Sequence, residues 1–130
     1  MVWVDVGGGT ARILEFFDTS TIRRHFKAIY VVDICPSLLE VARERVSALD
    51  LTDMVHVLEM DFTELNTLSV LGIALHSVDI VTFSYSFSMI PKPTLAIENA
   101  TKLLKRKCNG SFTNDLTYIV CYCLKLCNPF

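Results

Sequence analysis

One run constrains this chain more than any other: Val4-Asp5-Val6-Gly7-Gly8-Gly9-Thr10-Ala11. A short apolar stretch, Val2 to Val6, stops at three glycines, and a segment with helical spacing follows. That is the setting of a strand–loop–helix unit that takes a ligand against its backbone. Glycine supplies the positive φ such a loop needs and lets a ligand come close to the main chain. A tight structural turn is the plainer use of three glycines. Their place between a strand and a helix favours binding, because open α/β sheets hold ligands beyond the C-terminal ends of their strands.

Strands and helices alternate after the loop. Thr10 to Phe26 reads as a helix, with Ile13, Leu14, Phe17 and Ile22 at helical spacing. Ala28 to Ile34 is β-branched and apolar, a second strand. Pro36 suits a first helical turn, where its missing N–H costs nothing, and Leu38, Leu39, Val41, Ala42, Val46 and Leu49 continue a helical stripe. Met54 to Met60 alternates as a third strand, and Thr63 to Ala74 reads as a short helix and a loop. Val78 to Ser84 is a fourth strand, and Thr94 to Lys105 a helix with Leu95, Ile97, Leu103 and Leu104 inward. Beyond a turn at 107–111, the apolar run Tyr118 to Leu126 is able to form a fifth strand. The order predicts an α/β fold, a Rossmann-like doubly wound parallel sheet of four to five strands with helices on both faces.

Composition narrows the partners. The 130 residues fit one domain, and 52% hydrophobic against 20% charged residues argues for a packed core. Strands buried on both faces account for the apolar bias. A net charge of -2 makes no electrostatic case for nucleic acid or an anionic membrane. Lys102, Lys105, Arg106 and Lys107 read as a solvated helix C-terminus. No stretch approaches the roughly 20 apolar residues of a transmembrane helix. Met1-Val2-Trp3-Val4 runs into Asp5 without the basic leader of a signal peptide. Five cysteines, an odd count, suggest free thiols in a reducing compartment. Cys121-x-Cys123-x-x-x-Cys127 lacks C-x-x-C spacing and a following histidine, so no metal site is expected. His25, His56 and His76 carry no motif, and structural roles are expected for them.

The glycine spacing selects the ligand. A dinucleotide fingerprint, G-x-G-x-x-G, fails from Gly7 because its sixth position is Arg12, and from Gly8 because its third is Thr10. No Gly-Lys-Ser/Thr of a P-loop is present. Asp5 with Gly7-x-Gly9-x-Ala11 instead resembles the E/D-x-G-x-G-x-G signature of class I methyltransferases, with alanine in the last place. The resemblance implies that Asp5, Gly7, Gly8 and Gly9 wrap the amino-acid end of S-adenosyl-L-methionine, Asp5 compensating positive charge through the loop. A solvated or helix-capping Asp5 is the alternative. Asp33 ends the second strand, where a carboxylate can accept from both ribose hydroxyls. Asp61 ends the third, where the same pattern implies contact with the adenine amino group, helped by the neighbouring backbone N–H. Phe62 or Ile34 would pack on the adenine. An NAD-binding domain also uses an acid after strand two, so Asp5 and Asp61 discriminate and Asp33 does not.

Three segments in order carry a finer resemblance: Trp3 to Ala11, Tyr30-Val31-Val32-Asp33-Ile34-Cys35-Pro36-Ser37-Leu38, and Phe83-Ser84-Tyr85-Ser86-Phe87-Ser88-Met89-Ile90-Pro91. Over Val2 to Leu104 the chain looks like the methyltransferase part of betaine-lipid synthases. That implies N-methylation of a homoserine head group on a lipid, with a lipid amine or another small molecule as acceptor. Ser84 would lie at the cofactor, and Tyr85 is the candidate catalytic, amine-positioning residue. It also implies a cytoplasmic location, peripheral at the endoplasmic reticulum. Residues 1–104 then form a partial cofactor-binding core, since such sheets have about seven strands, and 105–130 an atypical tail. Both ends look cut from a larger enzyme, whose remainder is an expected partner. The competing expectations are a cofactor-binding fragment without turnover and an NAD-binding domain.

Overall fold

The computed structural model describes residues 1–64, 66–84, 89–105 and 119–122. Its strands are β1 (Val2–Val6), β2 (Ala28–Asp33), β3 (Val55–Glu59), β4 (Ile80–Ser84) and β5 (Ile119–Tyr122). Its α-helices are α1 (Thr19–His25), α2 (Pro36–Ala48), α3 (Thr67–Leu71) and α4 (Pro93–Leu103), with a 3-10 helix over Arg12–Phe16. The strands form one sheet in the order β3-β2-β1-β4-β5, every neighbouring pair parallel. The chain moves outward from β1 to β3, then returns past β1 to β4 and β5. The switch point therefore lies between β1 and β4, and a ligand crevice is expected beyond their C-terminal ends.

Alternation along the strands sorts side chains into two cores. Trp3, Ile29 and Val31 face one layer with Leu14, Ile22, Ala42, Val46 and Leu51. Val4, Val6, Val32, Val81 and Phe83 face the other with Phe62, Leu71, Ala96, Ala100 and Leu103. Helices α1 and α2 cover the first face and α4 the second, so the sheet is wound on both sides. Each fully buried Leu, Ile, Val or Phe contributes about 1.5–3 kcal/mol relative to exposure. Pro36 and Pro93 open α2 and α4, where no N–H is needed. In α2 only Leu39, Ala42 and Val46 are buried; Leu38 and Val41 point outward. Among the described residues no helix is long and apolar enough to cross a membrane.

The helix expected over Thr10 to Phe26 is broken. Arg12–Phe16 is a 3-10 turn, Phe17 and Asp18 are extended, and α1 starts at Thr19. Two causes act together. The Phe17 ring meets Trp3 edge-on, with centroids 6.3 Å apart. Asp18 and Ser20 hydrogen-bond to each other at the start of α1, and such short polar side chains favour helix ends over helix interiors. Elsewhere β2, β3 and β4 are shorter than expected at one end or both: Val78, for instance, makes an isolated bridge to Leu104 outside β4. The fifth strand exists as Ile119–Tyr122, parallel to β4.

Candidate functional site

Asp5 is the most unusual residue of the sheet: a carboxyl with no exposed surface, one residue from the end of an apolar strand. Register explains its neighbours. Asp5 stands opposite Thr82 on β4, and the two-residue period puts Ser84 on the same face. Both hydroxyls donate to Asp5 Oδ1, each at 2.5 Å. Trp3, two residues before Asp5, donates its Nε1–H to Thr82 Oγ1 at 2.8 Å. Asp5 Oδ2 is buried and accepts no hydrogen bond among the described residues. Burial pushes the carboxyl up from 3.8 to about 6, against the lowering pull of Ser84 and Thr82; Asp33 adds a smaller push upward.

The glycine loop lies directly on that carboxyl. A Cβ on Gly8 would stand 2.7 Å from Asp5 Oδ2 and 2.7 Å from Val31 Cγ1, so only glycine lets the backbone rest there. Gly7 has φ +66, and its N–H and that of Gly8 donate to the Val32 carbonyl at 2.7 and 3.2 Å. The loop is thereby tied to the end of β2. Ala11, where the signature has glycine, is buried and also left-handed at φ +56. That conformation costs a residue with a Cβ about 1–2 kcal/mol.

Asp33 fastens the loop from the other side. Its Oδ2 accepts the Gly9 N–H and its Oδ1 the Cys35 N–H, both at 2.9 Å. Each carboxylate oxygen has a second lone pair, so further donors are accommodated. One side chain thus sets the Gly9 backbone and the entry to α2. Asp61 folds its own turn, with Oδ1 accepting the Thr63 N–H at 2.8 Å and the Thr63 hydroxyl at 2.7 Å. Asn99 of α4 holds the next residue in place through the Phe62 carbonyl, at 2.8 Å.

Besides Asp5, two of the expected cofactor residues are buried. The Phe62 ring packs edge-on against Phe83 in the core. Ile34, at 66% exposure, is the apolar side chain left beside Asp33. Ser84 is buried at 2% exposure with its hydroxyl on Asp5, so its position is beneath the loop. Tyr85 and residues 86–88 lie outside the described residues. The histidines stand elsewhere: His56 stacks near Tyr30, His76 Nδ1 meets the Leu104 carbonyl at 3.1 Å, and the His25 carbonyl accepts from the N-terminus. Sequence reasoning missed Thr82 and Trp3. The signal was there: Thr82 and Ser84 are polar at alternate positions of an apolar strand, and Trp3 shares the face of Asp5.

Sheet order and glycine loop define a Rossmann-like α/β domain with acids near its strand ends. A family model described as a methyltransferase domain matches residues 4–111, so the chain belongs to the methyltransferase-domain family. The NAD-binding alternative is thereby set aside, and the S-adenosyl-L-methionine implied by the glycine signature is the cofactor to be tested against the site. No curated protein matches the chain in sequence. Solved structures share the fold. A SAM-dependent methyltransferase from Aquifex aeolicus aligns with TM-score 0.64 and 22% identity, over 81% of this chain and 51% of its own. A Galdieria sulphuraria protein provisionally assigned as a sarcosine dimethylglycine methyltransferase gives 0.66 and 19%, over 82% and 36%. Geranyl diphosphate C-methyltransferase from Streptomyces coelicolor, solved with Mg2+, geranyl diphosphate and S-adenosyl-L-homocysteine, gives 0.64 and 15%, over 80% and 35%. The chain spans about half or less of the length of these proteins.

The residues present suit the cofactor. A buried carboxylate oxygen without a partner among the described residues lies under Gly8 and favours a cationic group above the loop. A Cβ on Gly9 would have only Leu38 Cδ1 at 3.7 Å and Asp33 Oδ2 at 3.8 Å within 4 Å, which leaves that side of the loop open. Asp33 and Ile34 then offer one acceptor and one apolar surface side by side.

Proposed function

We propose that this chain forms the cofactor-binding half of an N-methyltransferase whose acceptor is a lipid amine, the homoserine head group of a betaine lipid. The observation that carries the cofactor half is the Asp5 carboxylate buried beneath Gly8, with Asp33 bound to Gly9 at the rim. In this reading Asp5 attracts the cationic end of the cofactor through the loop, Asp33 accepts from the ribose, and Asp61 with the backbone of Phe62 holds the adenine while Ile34 covers it. S-adenosyl-L-methionine, when bound, supplies an electrophilic methyl group on a sulfonium. The chain's own task is to hold donor and acceptor in line, which lowers the barrier by several kcal/mol. The acceptor must be an unprotonated amine, and Tyr85, following β4, is the residue assigned to position it.

The lipid acceptor is supported by the three ordered segments around Gly7, Asp33 and Tyr85. The amine class is compatible with the same fold in the Galdieria sulphuraria protein. In this reading the enzyme works from the cytoplasmic side, peripherally at the endoplasmic reticulum, with the rest of a larger protein as partner. The test uses the longest reading frame containing this chain. Lipid extracts of cells expressing it are expected to contain trimethylated homoserine lipid, and extracts from a Gly7→Ala/Gly9→Ala double variant are not. Methylation confined to soluble amines or to protein would remove the lipid assignment.

A further inference from the structure

We infer that Trp3 is a positioning residue: through the Thr82 hydroxyl it fixes Asp5 as a carboxylate with one oxygen held and the other turned to the underside of the glycine loop. The inference rests on the proposed cofactor site for its purpose, but its geometry stands in the chain alone. An indole N–H only donates, and a hydroxyl has one hydrogen. With Trp3 Nε1 donating to Thr82 Oγ1, the Thr82 hydrogen is left for Asp5 Oδ1. Ser84 adds a second donor to the same oxygen. Oδ1 is thereby saturated by donors from β4, while Oδ2, under Gly8, accepts from none of the described residues. A rotated carboxyl would lose both hydroxyls, so the relay sets the direction of the charge as well as its presence.

Three elements face this group. β1 brings Trp3, β4 brings Thr82 and Ser84, and the end of β2 brings Asp33, the charged neighbour that opposes ionisation. Burial alone would keep Asp5 neutral well above the ordinary carboxylate range, and the hydroxyls pull it back toward ionisation. Chained hydrogen bonds polarise one another, so the Trp3 N–H strengthens the Thr82 donor.

The experiment is a carboxyl-carbon NMR titration of Asp5 in the full chain, wild type and three variants. Thr82→Val removes the donor at constant shape and is expected to move the Asp5 midpoint up by about one pH unit, the equivalent of a hydrogen bond to a charged group. Trp3→Phe is expected to move it in the same direction by a smaller amount, and Thr82→Ser, which keeps the hydroxyl, to leave it near wild type. S-adenosylhomocysteine binding at neutral pH should weaken in the order Thr82→Val, Trp3→Phe, Thr82→Ser. Because Trp3 also packs against Phe17 and Phe26, a purely structural role predicts lower stability with an unmoved midpoint. That result, or a Thr82→Val midpoint equal to wild type, overturns the relay, and the Thr82 pair decides it if Trp3→Phe does not fold. Shifted midpoints with no S-adenosylhomocysteine binding by any protein would sustain the relay and sink the cofactor reading.

Discussion

Replacing Asp5 by Asn isolates the cost of a buried charge that the fold carries beneath its loop. In the unfolded chain this carboxyl ionises at its ordinary value of 3.8; in the native state burial raises it to about 6. Between those values the native state binds the proton and the unfolded state does not. The stabilisation from protonated Asp5 is therefore complete below pH 3.8 and lost as pH rises through about 6. At about 1.4 kcal/mol per pH unit, that makes the ionised native state less stable by about 3 kcal/mol at neutral pH. Asparagine keeps the acceptor for Thr82 and Ser84 and never ionises. Its amide nitrogen, under Gly8, lacks an acceptor there, a pH-independent cost of about 1–3 kcal/mol. Urea unfolding from about pH 4 to about pH 8 reads the difference. The stability of Asp5→Asn relative to wild type should improve by about 2.5 kcal/mol across that range. Other acids cancel in the difference. Asp53 is lowered by Arg23, and Asp79, pushed up by burial, is lowered overall by Lys105 and Val2; both are the same in the two proteins. A pH-independent difference would refute the account of Asp5 as a buried group that ionises near pH 6.

Three further outcomes follow from the same geometry. Gly8→Ala places a methyl 2.7 Å from Asp5 Oδ2 and Val31 Cγ1 and should lose about 1–3 kcal/mol in chemical denaturation, with loss of ligand binding. Asp33→Ala frees the Gly9 and Cys35 N–H groups and removes the proposed ribose acceptor; calorimetry should show S-adenosylhomocysteine affinity lower by about 1.5–3 kcal/mol, and equal affinity would sink the ribose assignment. Wild-type binding of S-adenosyl-L-methionine should weaken as pH falls below about 6, where Asp5 takes up its proton, and Asp5→Asn should bind weakly without that dependence; an unchanged profile in the variant would show that Asp5 does not act on the ligand.

The sheet was legible because parallel strands bury both faces and announce themselves as short apolar runs; β1 and the start of α2 at Pro36 coincide with the expected positions. The helix over Thr10 to Phe26 misled because periodicity cannot see that Phe17 turns to Trp3, or that Asp18 and Ser20 favour a new helix start. Asp5, Asp33 and Asp61 were visible as acids at strand ends, but their partners were not. Thr82 and Trp3 meet Asp5 only through the pairing of β1 with β4, 77 residues apart in sequence for Thr82. The Phe62 ring is expected, as the alternative to Ile34, on the adenine face; its burial against Phe83 arises from packing between strand and loop that the sequence does not display.

The central claim is that the C-terminal edge of the sheet, where the glycine loop, Asp33 and Asp61 lie, holds S-adenosyl-L-methionine, and isothermal titration of the full chain with S-adenosylhomocysteine and, separately, with NADH tests it most directly. The account predicts saturable one-to-one binding of S-adenosylhomocysteine, lost in Gly8→Ala, and no binding of NADH. NADH binding, or S-adenosylhomocysteine binding that survives Gly8→Ala and Asp33→Ala unchanged, would contradict it.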